Sequence, residues 1–152
     1  MDTLADTAAL EARILREIPL ARAMQLAVSR YSGDALELEA PLAPNRNDKG
    51  CAFGGSLTAL MTLAAWGLVE LDLRGRGLAC DIFVGDSQVR YQEPVWGALH
   101  AVARVASPDA LPALAAALHE RGKGHIDMRC EIRAGEATAA TLAARFFARL
   151  RK

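Results

Sequence analysis

The sequence predicts an α+β fold: one antiparallel sheet of about five to six strands wrapped around a single long helix, with a further helix at the N-terminus. Three observations carry that expectation. From Gly54–Gly55 to Leu73 the chain is apolar on nearly every helical face, with Leu57, Leu60, Met61, Leu63, Ala64, Ala65, Trp66, Leu68 and Val69 leaving no wide polar stripe. A helix of that kind has to be covered all round. The segments on either side of it alternate apolar and polar residues with a period of two, as strands with one buried face do. No strand–helix–strand alternation or internal repeat occurs, which argues against a doubly wound parallel sheet.

Taken in order, residues 1–18 read as the first helix: Leu4, Leu10, Ile14, Leu15 and Ile18 share a face from Thr3 onward, and Pro19 limits its end. Met24 to Tyr31 and Ala35 to Leu42 read as strands joined at Ser32-Gly33-Asp34, a turn signal. The polar run Ala43 to Gly50 is a loop. After the central helix, Arg74-Gly75-Arg76-Gly77 stops the pattern and Cys80 to Glu93 forms a strand. Its apolar parity slips around Gly85-Asp86-Ser87, which predicts a bulge. Ala98 to Ala106 is the next strand, followed by a short helix with Ser107 as cap, Pro108 in its first turn and Gly122 at its end. Two amphipathic strands close the chain, one around Ile126 to Arg133 and one around Leu142 to Arg151.

Composition narrows the function classes. The 152 residues suit a single domain, 1–152, with one core. Eighteen basic and eighteen acidic residues balance to zero, whereas a nucleic-acid partner calls for a basic excess on one face. Cys51, Cys80 and Cys130 are odd in number and far apart, with no ligand-spaced histidine, so neither a disulfide framework nor a metal site is expected. The acidic N-terminus lacks the basic start and apolar run of a secretory signal, so a cytoplasmic location is expected. Residues 57–73, interrupted by Ser, Thr, Gly, Glu and Asp around their apolar positions, fall short of the ~20 that span a bilayer, and no membrane association is expected.

The stretch Asn45 to Leu73 sets a polar, glycine-bearing loop directly against the apolar helix. Its Asn47-Asp48-Lys49-Gly50-Cys51-Ala52-Phe53-Gly54-Gly55 segment resembles the loop of hotdog-fold acyl-CoA thioesterases of the phenylacetate type, in which an Asn precedes a His-Gly-Gly. More closely, residues 42–60, 86–97 and 18–24 are similar to the thioesterase-like domain that some bacterial proteins carry behind an acetyltransferase domain, the YiiD C-terminal type. The present chain would be a free-standing version. The resemblance implies a hotdog fold, a homodimer or dimer of dimers with sites at the subunit interface, and an acyl thioester of coenzyme A or acyl carrier protein as substrate. Coenzyme A would enter only as part of the substrate, with no separate cofactor.

Thioester hydrolysis needs an oxyanion hole and a group that activates water. Amides at a helix N-terminus are unpaired and lie at the positive end of its dipole, so those of Gly54, Gly55 or Ser56 are the candidate oxyanion donors; alternatively, the two glycines only permit tight packing. Asn47 would orient the water or the carbonyl, or else serve as a turn residue. Asp48 is the local carboxylate, and Asp86 beside Ser87 in the bulged strand could serve from a partner subunit. Two positions depart from the relatives' pattern. Phe53 stands where they have His and would wall an acyl pocket, and Thr62 stands where they have a catalytic acid. A non-catalytic acyl or coenzyme A binding module, or an inactive assembly partner, is the alternative reading. A hotdog dehydratase would need the missing His and Glu.

Overall fold

The computed structural model describes residues 3–152, so the first two positions of the expected 1–18 segment lie outside the described residues. Helix α1 (Thr3–Glu17) is followed at once by a second helix that the pattern did not announce, α2 (Pro19–Met24). Pro19 ends one helix and opens the next: at the first helical position its missing N–H costs nothing, and extended Ile18 separates the two. The strand expected from Met24 therefore starts later, after Gln25 takes a left-handed φ of 56°. Strand β1 is Ala27–Tyr31 and β2 is Ala35–Ala40. Pro41 cannot donate to a ladder, so β2 stops before Leu42 and a 3₁₀ turn (Ala43–Asn45) follows.

The remaining elements are α3 (Gly54–Gly75), β3 (Cys80–Tyr91), β4 (Leu99–Val105), α4 (Ala110–Arg121), β5 (Lys123–Ala134) and β6 (Ala137–Leu150). Helix α4 begins past Ser107–Pro108, with Asp109 at its cap and the Ser107 carbonyl taking only a turn bond from Ala110 N; Gly122, at φ 74°, ends it as expected. Among the described residues, six strands form one antiparallel sheet in the order β1-β2-β4-β5-β6-β3.

The sheet curves around α3. Leu36 and Leu38 of β2, Ala101 and Ala103 of β4, Ile126 to Ile132 of β5 at alternate positions, and Leu142 to Ala148 of β6 at alternate positions are buried on its inner face. They meet Leu60, Met61, Ala64, Ala65 and Leu68 of α3. Gly67 brings the layers close, since a Cβ there would stand 2.6 Å from a Leu36 methyl. By length and hydropathy α3 would suit a membrane span, yet 61% of its most apolar window is buried inside the protein, as in a core helix. The expectation that α3 is covered all round is corrected: Thr58, Ala59, Thr62, Leu63 and Trp66 form a half-open stripe, because sheet and α1 enclose the helix from the other sides.

Among the described residues, one charge lies inside. Glu70 of α3 is 3% exposed and accepts hydrogen bonds from Arg13 Nη1 of α1 and from Arg74 Nε at 2.6 Å. The Arg13 guanidinium also lies 5.4 Å from the Trp66 ring centroid. This cluster clamps α1 onto α3. Because removing one partner strands the other's charge, Glu70→Ala is expected to cost about 3 kcal/mol and to lower Tm by roughly 10 °C in a calorimetric melt. An unchanged Tm would show that α1 is held by its other contacts, Leu10 and Ile14 in the core and Glu11 Oε2 accepting Val28 N at 2.8 Å.

Strand β3 is an edge, paired with β6 on one side and open on the other. The bulge falls where the parity slip puts it, between Val84 and Asp86 at Gly85. Register against β6 turns Ser87, Val89 and Tyr91 to the helix side and Asp86, Gln88 and Arg90 to the outer face. The strand runs past its cover, leaving Val84 and Tyr91 47% and 58% exposed on the inner side.

Candidate active site

The site-bearing loop is built on Asn45, which is 1% exposed. Its Nδ2 donates to the carbonyls of Met24 (2.9 Å) and Pro41 (2.8 Å), and its own carbonyl receives Phe53 N at 2.7 Å. Ala52 N donates to Val95 O at 2.8 Å, and an isolated bridge joins Arg46 to Ala52. Residues 46–52 thus form a closed loop whose ends are fastened to the core just before α3. Asn45→Ala would leave two carbonyls without their donor, so a loss of about 2–3 kcal/mol is expected. Urea unfolding checks this; a change under about 0.5 kcal/mol would show that water replaces the amide.

Within the loop, Asn47 folds the chain on itself. Its Oδ1 accepts Lys49 N at 2.8 Å, its backbone N donates to Cys51 O at 2.7 Å, and its Nδ2 reaches Cys51 Sγ at 3.3 Å. That is an Asx-type turn, and it still leaves the half-buried Asn47 lining the cavity described below. Asp48 points to solvent, 3.0 Å from Lys49 Nζ. The lysine's hydrogen bond and charge hold its carboxyl below the ordinary aspartate range, which makes it a weak proton acceptor.

At the start of α3, Phe53 occupies the cap position and Gly54 and Gly55 the first two helical positions. Phe53 N is taken by Asn45 O, and Ser56 N turns back to Phe53 O at 2.9 Å. Among the described residues, the amides of Gly54 and Gly55 are the ones at this terminus with no acceptor in the protein. The Phe53 ring, 56% exposed, folds over Gly55 so closely that a Cβ there would stand 2.4 Å from it. The Tyr91 ring lies 3.4 Å from the equivalent point on Gly54, and its hydroxyl bonds Thr58 Oγ1 at 2.6 Å. Thr62 donates to the Thr58 carbonyl at 2.8 Å, so its hydroxyl hydrogen is spent on its own helix.

A cavity of about 360 Å³ opens here, lined by Asn47, Cys51, Ala52, Gly54, Leu57 and the segment Tyr91 to Pro94. The tertiary fold therefore brings Asn47 and Gly54 together with three residues the sequence did not nominate: Tyr91, Gln92 and Glu93. The parity slip at Gly85 was the available signal, since it is what turns Tyr91 toward the helix. Asp86 lies elsewhere. It sits opposite Arg145 on the outer face, roughly 16 Å along the strand from Tyr91. Ser87 faces the helix side but stays exposed, between these two places. Cys130 is no nucleophile, because burial pushes its thiol up to about 12.

Comparison with known proteins agrees with this architecture. The family model described as "Putative thioesterase (yiiD_Cterm)" matches residues 7–150. The chain belongs to this family. The solved structure of a protein described as a putative thioesterase from Shewanella oneidensis is 28% identical, with 99% of this chain and 100% of that one covered and a TM-score of 0.87. The solved structure of a protein described as having unknown function, from Chlorobaculum tepidum, is 27% identical over 95% of this chain and 94% of that one, with a TM-score of 0.89. A Pseudomonas aeruginosa structure, 20% identical over 95% and 96% of the two chains, shares the fold with a TM-score of 0.81. The YiiD_C family member described here thus has the hotdog architecture that its loop suggested.

Proposed function

We propose that this protein hydrolyses acyl thioesters carried on coenzyme A or acyl carrier protein, at a site built on the start of α3 and completed by a second copy of the chain. The observation that carries the reading is the pair of unaccepted amides at Gly54 and Gly55, the first of them at a cavity that Glu93 also lines. The thioester carbonyl oxygen accepts hydrogen bonds from those amides at the positive end of the helix. Water oriented by Asn47 attacks the carbonyl carbon while Glu93 takes its proton. The tetrahedral intermediate then expels the thiolate by breaking the C–S bond, and the proton follows to sulfur. Phe53 and Tyr91 wall the acyl chain, and Ser56, Thr62 and Ser87 offer polar contacts around it.

Assembly follows from the same edge. A twelve-residue strand with an open edge and exposed Val84 and Tyr91 is a template for pairing. Two β3 edges joined about a two-fold axis would continue the sheet and cover the half-open stripe of α3, making a homodimer or, by further pairing, a dimer of dimers.

A second reading has its own observation: Phe53 and the helix-bonded Thr62 stand where the relatives' acid–base groups would be, as in a non-catalytic acyl or coenzyme A binding module. An assay of the assembled protein across acyl-CoA chain lengths and an acyl carrier protein thioester separates the two. Turnover on at least one member is expected. Absence of turnover throughout, with coenzyme A raising Tm by less in Gly54→Pro than in the unsubstituted protein, would give the site to binding alone.

A further inference from the structure

Away from the helix start, the outer face of the sheet carries aromatic rings where a solvated strand face ordinarily carries polar groups. Register places His125 of β5, Phe147 of β6 and Phe83 of β3 directly side by side on that face. Phe83 and Phe147 are 65% and 47% exposed, and the His125 and Phe147 rings lie 6.1 Å apart, tilted by 49°. The row is bedded on the bulge. A Cβ at Gly85 would stand 2.2 Å from the Phe147 ring, so glycine there lets the ring lie over the strand.

The rim of this row is cationic. Lys123 and Arg149 stand opposite each other in the adjacent register row, and Arg121 closes the end of α4 beside them. The three line, with the aromatic rings, an open cavity of about 520 Å³ that has no carboxylate among its lining residues. Neighbouring carboxylates are already held by other arginines: Asp81 by Arg151 at 2.8 Å and Asp127 by Arg145 at 2.8 Å and 3.1 Å. Lys123 and Arg149 have no ion-pair partner among the described residues, whereas Arg121 shares only the exposed Glu120 at 3.4 Å.

Flat π-faces beside unpaired cations match one ligand chemistry: a planar base that stacks and a phosphate that pairs. We propose that the His125–Phe147–Phe83 row is a binding site for a phosphorylated purine nucleotide, with the base on the rings and the phosphates toward Lys123, Arg149 and Arg121. Two sources supply that chemistry, the nucleotide end of coenzyme A and a free nucleotide. The site stands whether or not the chain hydrolyses thioesters.

Calorimetric titration of the full chain with ADP tests it, with adenosine and inorganic pyrophosphate as the separate halves. Saturable ADP binding is expected, tighter than either half, and about tenfold or more weaker in Phe147→Leu and in Arg149→Gln. Both positions are exposed enough that the fold is retained, which a thermal melt verifies. Displacement of ADP by coenzyme A would support the site with the thioester carrier as its source; ADP binding that coenzyme A leaves untouched would support it with a free nucleotide. No ADP binding, or binding indifferent to both substitutions, overturns the proposal. So does self-association that Phe147→Leu abolishes in a chain that binds no ADP, since the face would then belong to a second copy. A protein that binds ADP here yet turns over no thioester would refute the hydrolase reading and keep this one.

Discussion

The Gly54→Pro variant is expected to lose about 10²–10³ in kcat for thioester hydrolysis while keeping its fold, because it deletes one oxyanion donor and little else. Proline has no N–H, and at the first position of a helix it replaces an amide that the helix does not use. Phe53 already has the extended backbone that a residue before proline requires, with φ −66° and ψ 132°. The Tyr91 ring lies at ordinary contact distance from the point where a side chain would begin. Few places allow an amide to be removed with so little structural cost. A donor used only in the transition state lowers kcat and kcat/KM together, so the two constants are measured side by side with a melt. Full kcat in a folded Gly54→Pro protein would remove Gly54 from the oxyanion hole.

The second large effect separates two carboxylates. Glu93→Gln is expected to lower kcat by about 10²–10⁴, the range for a positioned general base, whereas Asp48→Asn changes it by less than about threefold. Glu93 lines the cavity at the helix start, while the side chain of Asp48 is 81% exposed and paired with Lys49. Both substitutions preserve size and remove charge, so a purely steric account predicts no difference between them. The reverse ranking in a single-turnover assay would return the base to Asp48. Equal and small effects would point to a carboxylate from the partner subunit, such as Asp86.

The residues that the sequence placed well are those whose reason is local. The apolar run through Leu57–Leu73 has one compact solution, burial as a helix, and the helix observed there differs only at its ends. Period-two alternation in β2, β5 and β6 reports one wet and one dry face, which is what those strands have. The slip at Gly85 is a local break in that alternation and became the bulge. Helix α2 was missed because Pro19 carries two meanings, stop and start, and six residues are too few for periodicity to choose.

The candidate site was legible by half. Gly54, Gly55 and Asn47 were visible through the loop and the resemblance it carries, and the structure keeps Asn47 and Gly54 at one cavity. Tyr91 and Glu93 were not, because their proximity to Gly54 depends on β3 pairing with β6 and on the rest of the chain closing the sheet. Asn45 read as one more turn-favouring residue in a polar loop, yet it is buried and fastens that loop. Its partners, Met24 O and Pro41 O, are backbone groups that leave no trace in the sequence.

That one apolar helix is wrapped by an antiparallel sheet, and that a polar loop meets its first turn, follows from the order of the residues. Hydrophobic period and turn chemistry are properties of neighbouring residues, and they suffice for that much. Which carboxylate shares a cavity with Gly54, and which aromatic rings share a face, depends on how the whole sheet closes. Those are distances between residues far apart in the chain, set by strand register: here it brings Glu93 to Gly54, turns Asp86 away, and lines up Phe83, Phe147 and His125.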